Sequence, residues 1–309
     1  MSTRLVVVHD VLGTCFDLTK PIEALKSIFG DQVKDDRLAE LIIMDWYHAG
    51  QRDFTTLSIN GDYKPISACF KAGLPRVLLQ AGLIKRDADG AAQTQTDRGG
   101  GSGLPADQHF SQTTGDGKGS PFGEEVTQKI MSTLSTLRPR PGMVNAFTKT
   151  YRDQTKVAKH IDRVDLWGAT NGGLPLAQKL FVGALGEQTP LYTGTQAVNE
   201  QEKSVSGTEH KLGNGVGVFS CDENKIAKPD PRVYEEIIKR IQIKPNEDVR
   251  MWFVASHTWD LFAAKKAGFK TAWVTYEEFE MCSDIYGTPD IVAKDLDDIA
   301  KKIVEYESK

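Results

Sequence analysis

The sequence predicts an α/β fold: a core built on a parallel sheet, interrupted after its first strand by an inserted helical domain. Three observations predict it. Short apolar runs of the kind that form strands buried on both faces recur along the chain. Helical patterns alternate with them over the second half, which argues for parallel strands joined by crossover helices. Between the first apolar run and the next lies a long stretch of helical periodicity without a comparable strand.

Leu5–Asp10 is the first run, with three valines in succession and a charge at its end. Val11-Leu12-Gly13-Thr14 then turns the chain. Within residues 18–137, helices are expected over Pro21–Phe29, Arg37–His48, Ser67–Leu79 and Glu124–Leu137, and no strand. Residues 86–123 of this insert are rich in Gly, Ser, Thr, Gln and Asp around Gly99-Gly100-Gly101-Ser102-Gly103. Such a stretch has too few apolar residues to order itself and is expected to be a mobile surface loop.

Pro139-Arg140-Pro141 marks the return to the core, which is expected to comprise residues 1–17 and 138–309. Its further strands are predicted at Val164–Ala169, Val216–Ser220, Met251–Ala255 and Thr271–Val274. Pro231–Ile241 reads as a helix, with proline at its start and Val233, Ile237 and Ile241 at helical spacing. Thr258–Ala267 reads as another, closed by Gly268. Residues 187–214 are polar and expected to form a long loop.

Composition bounds the function. The chain has 309 residues, with Lys+Arg 38 against Asp+Glu 42 and a formal net charge of −4. That excludes a basic nucleic-acid binder as the default and gives no strong attraction to anionic membranes. No stretch approaches the ~20 apolar residues of a membrane helix, and Leu5–Val8 is too short for a secretory segment. The 4 cysteines, Cys15, Cys69, Cys221 and Cys282, are scattered without a Cys-x-x-Cys pair. Neither a disulfide framework nor a zinc site is expected, and a cytoplasmic protein with reduced thiols is.

Open parallel sheets bind ligands beyond the carboxyl ends of their strands. Four predicted strand ends carry polar groups: Asp10 with Gly13 and Thr14; Thr170-Asn171-Gly172-Gly173; Lys228-Pro229-Asp230-Pro231; and Ser256-His257-Thr258-Trp259-Asp260. An aspartate on a tight turn after a buried strand is held rigidly and can attack as a carboxylate, forming an ester that water hydrolyses. Asp10 fits that role, with Thr14 to orient it. Lys228 supplies a positive charge that keeps Asp10 ionised and steadies developing charge. Thr170 and Asn171 are side-chain donors for a substrate carboxylate or a leaving group. Asp260 would orient either Lys228 or the hydrolytic water. Tyr234 reads equally as a supporting group or a core aromatic.

These motifs resemble those of the haloacid dehalogenase superfamily. His9-Asp10-Val11-Leu12-Gly13-Thr14-Cys15-Phe16-Asp17 looks like its first motif and Thr170-Asn171-Gly172 like its second. Lys228–Tyr234 resembles the third, and Ser256–Asp260, followed by Ala264-Lys265-Lys266-Ala267-Gly268-Phe269, the fourth. All four occur in the family's order. The subgroup most resembled is the L-2-haloacid dehalogenases, especially their fungal members. The resemblance implies a Rossmann-like core with an inserted helical cap at residues 18–137. It also implies a metal-independent hydrolase of the (S)-2-haloacid dehalogenase type that needs no cofactor. The implied substrate is a small-molecule carboxylate, and a homodimer is a common family state.

Departures from the pattern sharpen this. Phosphatases of the superfamily carry an acid two residues after the nucleophile, where this chain has Leu12. They also carry a magnesium-binding Asp four residues before the last acid, where this chain has Ser256. Magnesium prefers anionic oxygen ligands, so both changes argue against phosphoryl transfer and for displacement at carbon. The family's halide-binding cap arginine is replaced by His48, with Arg52 one turn later as a substitute. His257 stands where Asn is frequent and is expected to approach the site. Ala255 stands where some dehalogenases have Ser. His9 precedes the nucleophile, so it should face the other side of the strand as a packed, hydrogen-bonded histidine. Two alternatives remain open: a hydrolase of another small molecule, such as a phosphate ester or secondary metabolite, and a catalytically silent binding protein on the same fold.

Overall fold

A computed structural model describes residues 3–33, 35–86, 92–94, 121–193 and 215–309. Most of the expected loop at 86–123, and residues 194–214 of the one at 187–214, lie outside these described residues. The strands are β1 (Thr3–Asp10), β2 (Ile84–Arg86), β3 (Ala92–Thr94), β4 (Ile161–Thr170), β5 (Leu191–Tyr192), β6 (Val216–Ser220), β7 (Asp248–Ala255), β8 (Lys270–Val274) and β9 (Ile291–Ala293). Two compact units result.

The first unit comprises residues 1–18, 54–66 and 135–309. It holds a 7-stranded sheet in the order β5-β6-β4-β1-β7-β8-β9. Every pairing in it is parallel. β1 is the central strand, with β4 on one side and β7 on the other. Leu5, Val6, Val7 and Val8 are all 0% exposed. A strand covered on both faces needs apolar residues at consecutive positions, which is why β1 reads as a run rather than an alternation. Register carries the strand ends into line: Asp10 lies opposite Ala169 of β4, and His9 opposite Val254 of β7.

The helices Pro231–Ile241 and Thr258–Lys266 fall where their periodicity places them. The first buries Val233, Tyr234, Ile237 and Ile241. Its N-terminal cap is Asp230, whose side chain accepts the Arg232 amide, one of the donors a helix start leaves open.

The second unit comprises residues 19–53 and 67–134. Its helices begin and end at Thr19–Phe29, Asp36–Ile59, Ile66–Gln80 and Pro121–Thr133. Trp46 and Tyr47 are 1% exposed, and the Trp46 indole donates to the Phe70 carbonyl at 2.8 Å. Both aromatics are therefore packing residues of this unit. Phe54 is 0% exposed and its ring meets that of Tyr63 within the first unit.

Three expectations need correction. The insert is not purely helical, because β2 and β3 pair antiparallel within it. These strands have 3 residues each, too short for an alternation to register. The loop expected at 187–214 contains β5, a 2-residue edge strand. Residues 54–66, counted with the insert from the sequence, pack with the first unit. The helix that begins at Asp36 runs on past His48 to Ile59 and carries the chain from one unit into the other. β9 escaped notice for the same reason as β5: few residues on an edge.

Candidate active site

Four strand ends of the first unit converge on Asp10. The carboxylate closes β1 and is 6% exposed. Gly13 follows in a left-handed conformation at φ 87°, and its amide donates to the Phe16 carbonyl at 2.8 Å. This turn brings Thr14 back beneath Asp10, where its hydroxyl donates to Oδ2 at 2.8 Å. With its proton so committed, the Thr14 oxygen accepts from the Ser256 amide at 2.9 Å and from the Ser256 hydroxyl at 3.1 Å. Ser256 thus locks the residue that orients Asp10.

Lys228 approaches the other carboxylate oxygen. Its ammonium lies 2.7 Å from Asp10 Oδ1, 2.6 Å from Asp260 Oδ2 and 3.3 Å from the Ala169 carbonyl. It is 1% exposed. Three acceptors for three ammonium protons make this a fully used donor. The Tyr234 hydroxyl donates to the remaining oxygen of Asp260. The Lys228 backbone is held as well: its amide donates to Asn171 Oδ1 at 2.9 Å. Thr170 accepts the Gly172 amide at 2.9 Å, which shapes the turn carrying Asn171.

His257 stands on the Thr14 side. Its Nδ1 is 3.6 Å from Asp10 Oδ2, an ion-pair distance longer than a hydrogen bond. Its Nε2 lies 2.9 Å from Glu277 Oε2. Arg140 donates to Glu277 Oε1 at 2.5 Å and to the Gly13 carbonyl at 3.0 Å. Three carboxylates thus alternate with three cations along one line: Asp260, Lys228, Asp10, His257, Glu277, Arg140.

The charge states follow from this line. Burial pushes the Asp10 carboxyl up, but the Lys228 ammonium, reinforced by His257, holds it well below the usual carboxylate range. Burial works against the Lys228 charge, and Asp10 and Asp260 more than restore it. His257 is likewise opposed by burial, yet its contacts with Asp10 and Glu277 push it up to about 10. Glu277 is held low against burial by His257 and Arg140. Asp260 is pushed up, by burial first and by the Asp10 charge, with Lys228 opposing.

Most of the residues expected at the site are therefore together: Asp10, Thr14, Lys228, Asp260, Tyr234, Ser256, His257, and Asn171 through the Lys228 backbone. Leu12 is 7% exposed in the turn after β1 and has no proton to offer. His48 and Arg52 belong to the second unit. Both are exposed, and Arg52 lies 3.4 Å from Asp53. His9 faces away from this cluster. Its ring nitrogens meet the Trp167 carbonyl at 3.3 Å and the Tyr151 hydroxyl at 3.1 Å, and burial pushes it down to about 3. Glu277 and Arg140 were missed. Glu277 lies three residues past the end of β8, so the strand-end rule that found the others would have found it. Arg140 sits in the Pro139–Pro141 return, which signals a boundary rather than chemistry.

The donor set does not suit a divalent cation. Asp10 already faces two cations, Ser256 offers only a neutral hydroxyl already committed to Thr14, and magnesium requires hard anionic oxygens. Among the described residues no group of His, Cys, Asp and Glu is arranged to hold a metal.

No protein-family model matches the chain. The chain is 48% identical over 53 residues to (S)-2-haloacid dehalogenase 4A of Burkholderia cepacia, covering 17% of this chain and 22% of that enzyme. It is 31% identical over 96 residues to (S)-2-haloacid dehalogenase 2 of a Pseudomonas species, covering 30% of this chain and 38% of that enzyme. The aligned segments thus span between about a fifth and two fifths of these curated relatives. Similarity in structure runs much further. The L-2-haloacid dehalogenase of Xanthobacter autotrophicus, solved with chloropropionic acid covalently bound, aligns with a TM-score of 0.59 at 16% identity over 98% of each chain. These curated relatives are (S)-2-haloacid dehalogenases, the structural neighbours include L-2-haloacid dehalogenases and a putative hydrolase of the haloacid dehalogenase superfamily, and the chain has the fold they share.

Proposed function

We propose that the chain is a metal-independent hydrolase of the (S)-2-haloacid dehalogenase type with Asp10 as nucleophile. One observation carries this reading: a buried carboxylate at the end of the central strand, held ionised by Lys228 at 2.7 Å and oriented by Thr14 at 2.8 Å. An ionised, fixed and dehydrated carboxylate is a competent nucleophile toward carbon. The partial match to (S)-2-haloacid dehalogenases supports the substrate class, a small 2-halogenated carboxylate.

In the first step a carboxylate oxygen of Asp10 attacks C2. The new C–O bond forms as the carbon–halogen bond breaks, and halide leaves with the bonding pair. Inversion at C2 follows from attack opposite the leaving group. In the second step water attacks Cγ of the Asp10 ester. The Cγ–O bond breaks, the 2-hydroxyacid leaves with the oxygen that Asp10 contributed, and one proton is released overall. Lys228 stays positive throughout, so it stabilises both the attacking carboxylate and the tetrahedral oxyanion of the second step. Thr170 and Asn171, at the neighbouring strand end, supply polar groups for the substrate carboxylate or the departing halide.

Asp260 is assigned to positioning Lys228. One of its oxygens takes the Lys228 ammonium and the other the Tyr234 hydroxyl, which leaves it poorly placed to take a proton from water. Halide release from L-2-chloropropionate and chloroacetate in EDTA tests the proposal. Release by the native chain that vanishes in Asp10→Asn supports it. No release from either acid contradicts simple haloacid dehalogenation, and turnover of a phosphate ester that requires Mg²⁺ would favour a phosphatase instead.

A further inference from the structure

Asp10 has a second buried cation beside it that the reaction above does not use. His257 is 1% exposed and caps the start of the helix Thr258–Lys266. Its Nε2 meets Glu277 at 2.9 Å, and its Nδ1 faces Asp10 at 3.6 Å. Glu277 is itself pinned by Arg140, and its side chain is 3% exposed. The ring of Trp259 lies over the imidazole with centroids 5.6 Å apart. Burying an imidazole and a carboxylate together is costly unless they are paired and fixed, as these are. The second step of the proposed reaction meanwhile needs a base, and both oxygens of Asp260 are occupied.

We propose that His257, oriented by Glu277, is the base that takes the proton of the water hydrolysing the Asp10 ester. This rests on the dehalogenase reading and assigns the second half of the reaction. The geometry fixes the tautomer: Glu277 accepts from Nε2–H, so the lone pair of neutral His257 lies on Nδ1, facing the reacting carboxyl. The nucleophile itself sets the timing. While Asp10 is a carboxylate, its charge holds His257 protonated, which strengthens the ion pair and leaves no base to compete for water. Forming the ester removes the Asp10 charge. His257 then gives up its proton to solvent and becomes a base when one is required.

The protons balance. Water adds to Cγ and passes one proton to Nδ1. The tetrahedral adduct collapses, the Cγ–O bond breaks, and the departing alkoxide takes that proton from His257. The remaining carboxyl proton moves to Nδ1, which restores the Asp10 carboxylate and the His257 cation. The charged groups facing the imidazole are Asp10 from the end of β1 and Glu277 from the segment after β8. Lys228 acts on it through Asp10, and Arg140 through Glu277.

The test mixes excess L-2-chloropropionate with the native chain, His257→Asn and Glu277→Gln, following halide release and intact protein mass together. For His257→Asn the proposal expects a single equivalent of halide at near-native rate, then turnover slowed at least ~100-fold, the scale of a lost general base. The protein mass should rise by the propionate adduct. Glu277→Gln should show the same pattern, less severely. If His257→Asn hydrolyses the ester at the native rate, the base assignment is wrong while the dehalogenase reading stands. If the native chain releases no halide, both fail. A second measurement needs no substrate: the imidazole ¹⁵N shifts of His257 followed against pH. Asp10→Asn, neutral like the ester, should move the His257 titration down by at least one pH unit. An unchanged titration would remove the timing argument.

Discussion

Lys228 lies 2.6 Å from Asp260, and both side chains are buried, at 1% and 0% exposure. The pair stands next to Asp10, so Lys228 serves two carboxylates at once. Removing one partner of such a buried group leaves charge without compensation, which costs far more than the pair contributes. Lys228→Met keeps the volume and leaves Asp10 and Asp260 facing each other. We expect it to lose about 3–5 kcal/mol of stability and all turnover. Urea unfolding at neutral pH checks the first expectation and halide release the second.

Tyr234→Phe isolates the far end of the same network. It removes the donor to Asp260 without changing the shape of the Pro231–Ile241 helix face. A buried charged acceptor losing one donor costs about 1–3 kcal/mol. Asp10 is not touched by the change, so turnover should fall less than in Lys228→Met. Thermal unfolding and halide release, compared across the two variants, check the order.

Stability should depend on pH through His257 on the alkaline side. Its folded value is raised to about 10 from an ordinary 6.5. A raised value means that the contribution is fully present below ~6.5 and is lost as pH rises through the folded value of about 10. Asp10 and Glu277 act in the opposite sense. Both are held low, so their contributions are present above the ordinary carboxylate range and are lost as acid protonates them. Unfolding midpoints between pH 6 and pH 10 should therefore decline for the native chain and flatten in His257→Asn.

Gly13 is needed for two separate reasons. Its φ of 87° is strained for any residue with a side chain. A Cβ there would also lie 2.6 Å from Glu277 Oε2 and 2.9 Å from the His257 ring. Gly13→Ala should cost at least ~1–2 kcal/mol from the left-handed conformation alone. It should also displace the Glu277–His257 pair, so turnover should fall more than the small loss of stability explains. Comparing turnover with Gly30→Ala, whose φ is also positive at 49° but whose Cβ would meet nothing, separates strain from displacement.

Much of the first unit could be read in the sequence because burial on both faces writes long signals. β1, β4, β6, β7 and β8 appear as apolar runs, and their polar ends mark the site. The short edge strands β5 and β9 could not be read, since two or three residues carry no period. The β2–β3 pair in the insert is hidden for the same reason. At the site, Asp10, Thr14, Lys228 and Asp260 were legible because each follows a strand within a recognisable motif. Glu277 and Arg140 carry no motif. Glu277 follows the end of β8, where the strand-end rule points, but the pairing that sets Arg140 and Glu277 beside His257 is tertiary and joins the β8 end to the Pro139–Pro141 return. Leu12 and Ser256 were informative for what they lack, a second acid and an anionic metal ligand.

The proposed covalent role of Asp10 is tested most directly by isotope transfer. A single turnover of L-2-chloropropionate is run in H₂¹⁸O with the protein in excess, and both the product and the Asp10 peptide are weighed. Hydrolysis at Cγ predicts that ¹⁸O enters Asp10 while the lactate formed carries ordinary oxygen. Label in the lactate and none in Asp10 would mean that water attacks C2 directly, and would contradict the ester.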